Sequence, residues 1–262
     1  MINKPAVYIN MDEKEKGFLE YASYILKKLN LKPLIVFSRD FLSDPLGYIA
    51  QRQEKRIYDE VNEFVKEYFD GFEIYVSFEP ADKTVDRILS GYDVDIAFVR
   101  YKRQLLGRSL SEKVIDNVRV WVYKDGCSPQ INAVCVPLDF SDRSIKQLEF
   151  LKYLKTHFPI EFRLLHALNT ERLKDKLTFD EYLRLVKDKK DEAIHLFKET
   201  FGELELDILF LEGDPYRSLS EHINSERYGL TLMSKRGKGM AKIVGSVSRY
   251  LLRSVKCPLI VL

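Results

Sequence analysis

Little in this chain of 262 residues invites covalent or metal chemistry. Cysteine occurs three times, at Cys127, Cys135 and Cys257, and never as a Cys-x-x-Cys pair. That excludes a zinc ribbon and a dithiol redox centre on spacing alone. An odd, scattered set of thiols suits a reducing cytosol, and Cys135 and Cys257 fall inside apolar runs, where cysteine serves as a small hydrophobe. The four histidines, His157, His166, His195 and His222, lack metal-ligand spacing. Net charge is also nearly absent. Lys+Arg 42 against Asp+Glu 40 leaves +2, with no basic stripe of the kind that nucleic acid needs. No apolar run approaches the roughly 18 residues that span a bilayer, and no charged-then-apolar leader opens the sequence. The expectation is a soluble, cytoplasmic protein whose partners include neither nucleic acid nor membrane.

What is present is a rhythm. Hydrophobic residues make up 45% of the chain, enough for a core without disulfide staples. Short apolar runs at 6–9, 33–37, 72–78, 94–99 and 118–123 read as strands. Helical stripes lie between them. They are Phe18, Tyr21, Ala22, Ile25 and Leu29, then Ile57, Val61, Phe64, Val65 and Tyr68, a short helix at 82–89, and Leu106, Leu110 and Val114. Residues 124–130, with Gly126 and Pro129, read as a linker. The same order then returns. Strands are expected at 133–137, 161–166, 206–211, 230–233 and 258–261. Helices are marked by Ile145, Leu148, Leu151 and Leu154, by Leu183, Val186, Ile194 and Phe197 within 179–201, and by 216–224 and 243–252.

Val7-x-Ile9 and Asp12 match Val134-x-Val136 and Asp139 at a spacing of 127, and Ser109, Ser111 and Val118 match Ser246, Ser248 and Val255 at 137. Such self-similarity implies an internal duplication, with domains at 1–126 and 131–262. Strands alternating with helices require parallel pairing by crossover. The expected fold class is therefore α/β, with two doubly wound, open, Rossmann-like parallel sheets of five strands each. Ligands bind such sheets beyond the carboxyl ends of the strands, where the strand order reverses. In each half that point falls between the first and fourth strands.

Residues 230–246 are the most suggestive stretch. A strand runs into a loop holding Lys235, Arg236, Gly237, Lys238 and Gly239, and Gly245-Ser246 then opens a helix with Ile243, Val247 and Leu251 on one face. Glycine lets backbone come close to a ligand, and free N–H groups at a helix N-terminus attract anions. The stretch reads as a phosphate cradle or as an ordinary basic strand-to-helix turn, and spacing alone leaves both open. It is neither Gly-x4-Gly-Lys-Ser/Thr nor Gly-x-Gly-x-x-Gly.

Six segments carry a family likeness. Val136-Pro-Leu-Asp-Phe-Ser141 resembles the opening of a universal stress protein domain, Leu165-His-Ala167 its second strand, and Glu212-Gly-Asp-Pro215 the turn after its third. Met233-Ser-Lys-Arg-Gly237, Gly245-Ser-Val-Ser248 and Lys256-Cys-Pro-Leu-Ile-Val261 resemble its end. The likeness covers 131–262, and the first half resembles the same domain in degraded form. The whole chain thus resembles a tandem universal stress protein. That implies a regulatory, stress-response protein holding ATP or another adenine nucleotide, with or without magnesium. It also implies pairing of the last strands, met within one chain through 119–123 and 258–261 or between chains as a homodimer.

The family's phosphate pattern is Gly-x2-Gly-x9-Gly-Ser/Thr. Here Ser234 stands in place of its first glycine, Gly237 matches the second, and Gly245 and Ser246 match the final pair. Seven residues rather than nine separate Gly237 from Gly245, which weighs more against a triphosphate than against adenosine. Pro137, Asp139 and Ala167 match adenine- and ribose-side positions. The implied nucleotide-binding set is Pro137, Asp139, Phe140, Ala167, Ser234, Arg236, Gly237, Gly239, Gly245, Ser246 and Val247. In the first half, residues 101–104 contain no glycine, Gly107-Arg108 breaks the Gly-Ser pair, and Asn10 replaces the proline. Asp12 alone persists, so a scaffold is expected there.

Plainer readings stand beside these. Asp139 either helps cap the following helix, with Ser141 or Asp142 as the N-cap, or contacts the nucleoside. His166 reads as a satisfied core histidine. No Ser/His/Asp order or paired carboxylate stands out, so an enzyme is not expected beyond slow hydrolysis of a bound nucleotide. The alternative function is a nucleotide-free interaction and dimerisation module of the same family.

Overall fold

Parallel strands joined by helices account for both parts of the molecule. The structure, a computed structural model, describes residues 1–12, 15–38, 47–79, 81–102, 110–202, 207–235 and 244–262, with backbone alone at 38, 47–53, 81–82 and 172–173. The chain divides into two units, Met1–Pro129 and Gln130–Leu262.

The first unit runs β1 (Pro5–Ile9), α1 (Glu15–Lys28), β2 (Leu34–Ser38), α2 (Gly47–Val65), β3 (Glu73–Ser77), α3 (Ala81–Tyr92), β4 (Ile96–Arg100), α4 (Leu110–Val114) and β5 (Arg119–Tyr123). Its strands lie in the order β3-β2-β1-β4-β5, all parallel. Every residue of β1 and β4 is buried. That is the continuous apolar signature of a parallel strand covered on both faces. Trp121 on β5 stacks on Phe98 of β4 with ring centroids 5.1 Å apart, and its indole N–H donates to the Tyr21 hydroxyl at 3.0 Å.

The second unit runs β6 (Ala133–Pro137), α5 (Asp142–Lys155), β7 (Glu161–Ala167), α6 (Glu171–Lys174), α7 (Phe179–Phe201), β8 (Ile208–Leu211), α8 (Pro215–Ser225), β9 (Leu230–Met233), α9 (Ser246–Ser254) and β10 (Leu259–Val261). Its order is β10-β9-β6-β7-β8, again parallel. In both units the first and fourth strands are neighbours, β1 with β4 and β6 with β9. This places a crevice at their carboxyl ends. Leu154, Leu251, Leu252 and Ile260 are each 0% exposed and anchor the helices. Complete burial of one such side chain stabilises by about 1.5–3 kcal/mol.

Local chemistry sets the helix starts. Asp214 caps α8 by accepting from the N–H groups of Tyr216 and Arg217, with Pro215 behind it. Thr178 and Glu181 form a capping box on α7, and these bonds hold the Glu181 carboxyl below its ordinary pKa.

Three expectations need correcting. The inward face of α5 is Ser144, Gln147, Phe150, Leu151 and Leu154, whereas Ile145 is exposed and Leu148 only half-buried. Leu183 on α7 points to solvent at 50% exposure, because only Ala193 and Phe197 of that helix are fully buried. Among the described residues the last helix begins at Ser246 rather than at 243. Ile243, Leu106 and Leu206 lie outside the described residues.

Candidate functional site

The loop between β6 and α5 carries the first half of the candidate site. Asp139 sits two residues past the end of β6. Its Oδ1 accepts from the Ser141 N–H at 3.2 Å, the Ser141 hydroxyl at 2.7 Å and the Ser144 hydroxyl at 3.0 Å. Ser141 is the N-cap residue of α5 by backbone conformation, yet its side chain makes no capping bond. Its hydroxyl is turned to Asp139 instead, at the cost of a cap worth about 1 kcal/mol. The other oxygen, Oδ2, is buried and has no hydrogen-bond partner among the described residues. A buried acceptor left in that state is unfavourable unless something else donates to it.

Beneath Asp139, α5 presents two polar residues where the apolar pattern passed them over. Ser144 and Gln147 are both 0% exposed and three positions apart on one helix face. The Gln147 amide Nε2 donates to the Pro137 carbonyl at 2.9 Å and to the Leu232 carbonyl at 3.2 Å. Nothing in the spacing singled them out, because both look like polar residues beside a good apolar stripe.

The second half lies where β9 leads to α9. Ser234 follows β9, and its carbonyl accepts the Ser248 hydroxyl at 2.9 Å. The Gly245 N–H donates to the Lys235 carbonyl at 2.9 Å. Gly245 is the N-cap of α9 at φ −60 and ψ 150, a conformation any residue adopts. The first helical bond runs from the Arg249 N–H to the Gly245 carbonyl. The Ser246 and Val247 N–H groups have no acceptor among the described residues, as expected for a helix start. The Tyr216 hydroxyl donates to Ser246 Oγ at 2.9 Å, a contact from α8 that no spacing or motif signals.

The remaining expected residues fall into two groups. Pro137 and Ala167 stand half-buried at the ends of the paired strands β6 and β7. Phe140 has φ 54, and its side chain is turned inward and 3% exposed. It stacks on His166 at 4.3 Å and meets Phe197 and Phe201 edge-on, and its carbonyl accepts the Thr200 hydroxyl at 2.9 Å, so its side chain belongs to the core. His166 Nδ1–H donates to the Leu138 carbonyl at 2.9 Å. Arg236, Gly237 and Gly239 lie outside the described residues. The structure thus gathers Pro137, Asp139, Ala167, Ser234, Gly245, Ser246 and Val247 at the carboxyl ends of the adjoining strands β9, β6 and β7.

The equivalent place in the first unit is filled by the chain itself. Arg100, the last residue of β4, has a side chain only 5% exposed. Its Nε and Nη2 donate to the two Asp125 oxygens at 2.7 and 2.8 Å, and Nη1 donates to Asp12 Oδ1 at 3.0 Å. The Lys102 ammonium also pairs with Asp12. Glu15 Oε2 accepts the N–H groups of Asn10 and Met11, both at 2.7 Å. Burial raises the Glu15 pKa, against the opposing pull of those bonds. The carboxylate that matches Asp139 is therefore already neutralised. Residues 103–109, including Gly107 and Arg108, lie outside the described residues. The signal for Arg100 was available: a charged residue closing an otherwise apolar buried strand.

Parallel strands, intervening helices and a paired first and fourth strand define an α/β protein of the Rossmann-like type. The universal stress protein family model matches residues 131–262, just over half of the chain. The chain belongs to the universal stress protein family. Among solved structures it is similar to a universal stress protein from Archaeoglobus fulgidus DSM 4304, with 21% identity, 99% of this chain and 95% of that one covered, and a TM-score of 0.68. It is also similar to a functionally unknown protein from Pseudomonas aeruginosa PAO1, with 11% identity, coverage of 100% and 92%, and a TM-score of 0.71. At these identities the likeness is one of fold. A universal stress protein solved in complex with cAMP aligns with 51% of this chain and 97% of its own, at 17% identity and a TM-score of 0.33. No curated protein matches.

Proposed function

We propose that the second unit binds an adenine nucleotide and that the protein acts as a regulatory, stress-response member of its family rather than as an enzyme. The first unit is read as a degenerate universal stress protein domain with its own five-stranded sheet, kept as a scaffold. The observation that carries the reading is Asp139 Oδ2, a buried acceptor with no partner among the described residues. A ribose hydroxyl is a donor of the right kind. The N–H groups of Ser246 and Val247 and the Ser246 hydroxyl supply the complementary set for a phosphate at the start of a nine-residue helix. These residues fit an adenosine phosphate without help from an acidic metal cluster. Among the described residues no group of three His, Cys, Asp or Glu side chains is placed to hold a metal, so magnesium would arrive on the phosphates.

The test is a calorimetric titration of the full chain with ATP, ADP, AMP and adenosine, repeated with Gly245→Val. Binding by the native chain and its loss in the variant support the site, because a branched side chain at residue 245 fills the space beside the helix N–H groups. Unchanged affinity in the variant removes the site from α9. No binding of any adenine ligand by the native chain replaces this reading with a nucleotide-free interaction module.

A further inference from the structure

Strands β6 and β9 lie side by side, but their pairing stops short of their ends. The paired positions are Val134 with Leu230 and Cys135 with Thr231, although β6 continues to Pro137 and β9 to Met233. The Thr231 N–H donates to the Pro258 carbonyl, towards β10. N–H and C=O groups alternate sides along a strand, so those of Leu232 face β6. Continuing the register, the donor due to the Leu232 carbonyl is the backbone nitrogen of residue 137. Proline has no N–H. The Gln147 amide takes over, donating to Leu232 and, with its second hydrogen, to Pro137 itself.

Gln147 does this while 0% exposed and with its own Oε1 buried and without a partner among the described residues. A leucine of similar size would pack there but leave the Leu232 carbonyl without its donor, so the amide is accounted for by its two bonds and not by packing. Its neighbour Ser144 holds Asp139 from the same helix face. One stripe of α5 therefore fixes the Asp139 loop, the end of β6 and the end of β9 together.

We propose that Gln147 is a positioning residue that sets the separation between the two halves of the crevice, the Asp139 loop and the β9–α9 junction. The inference rests on the adenine-nucleotide reading and adds to it. A ligand that touches both halves depends on Gln147, whereas a ligand that touches one half does not.

The experiment compares the native chain with Gln147→Leu, which removes both donors at similar volume, using ATP, adenosine and inorganic triphosphate. The expected result is a loss of roughly tenfold in ATP affinity with less than about twofold change for adenosine and triphosphate, since a preset separation favours only the two-ended ligand. Equal losses for all three ligands, or none, overturn the role of Gln147 and leave the nucleotide reading standing. If the native chain binds none of them, the nucleotide reading falls, and hydrogen exchange on the ligand-free proteins decides the tether. Faster exchange in Gln147→Leu confined to 136–139 and 232–235 upholds it, and unchanged exchange there overturns it. Should Gln147→Leu fail to fold, Gln147→Met serves in the same comparison.

Discussion

Replacing Arg100 by methionine separates the worth of the ion network in the first unit from that of simple burial. The guanidinium is 5% exposed, but its partners Asp12 and Asp125 are 40% and 57% exposed. Removing one member of a fully buried pair costs about 3–5 kcal/mol, because a charge is stranded without water. Here Asp125 can rehydrate and Asp12 keeps Lys102, so the stranding component is largely absent. What remains is the bidentate pair at 2.7 and 2.8 Å and the single bond at 3.0 Å. Partly exposed ionic bonds of this kind lie towards the low end of their range, and methionine retains most of the stem packing. The expected loss is about 2 kcal/mol. Trp121 is the single tryptophan, belongs to the first unit and is 0% exposed. Its fluorescence in a denaturant titration therefore reports that unit's unfolding. A loss below about 0.5 kcal/mol would show a network no stronger than a surface pair. A loss above about 4 kcal/mol would show that the carboxylates stay dry. Either result refutes the reasoning.

Two further outcomes follow from the same unit. Tyr21→Phe leaves the buried Trp121 indole N–H without its acceptor and should cost about 1–3 kcal/mol by the same titration, and a change under about 0.5 kcal/mol would mean another acceptor serves it. Glu15 has a pKa raised by burial above its ordinary 4.5, so the folded state keeps the proton to a higher pH than the unfolded chain. Its contribution to stability therefore falls as pH climbs from 4.5 through the raised value. Glu15→Gln should lack that falling component, and parallel stability-against-pH curves for the two proteins would contradict it.

Much of the architecture is legible in the residues, for a physical reason. Runs such as Val134-Cys-Val136 and Leu230-Thr-Leu232 are buried on both faces, and helix Glu15–Lys28 buries the expected Phe18, Tyr21, Ala22 and Ile25, so the apolar period and the burial agree. The site is harder to read. Ile145 and Leu148 look like the inward pair of α5, but Ser144 and Gln147 take that place. A period count cannot favour polar residues for burial, and only the partners at Asp139, Pro137 and Leu232 explain them. Tyr216 is likewise silent in the sequence, since its contact to Ser246 joins helices thirty positions apart. Arg236, Gly237 and Gly239, on which the phosphate pattern leaned, lie outside the described residues.

Pro137 has a consequence that outlasts any particular ligand. A hydrogen atom missing from one ring nitrogen decides where the ladder between β6 and β9 ends. Neither acid nor salt can restore that atom, so the missing backbone bond at the end of β6 is a covalent property of the chain. The bond due to the Leu232 carbonyl can therefore come only from a side chain, and Gln147 supplies it.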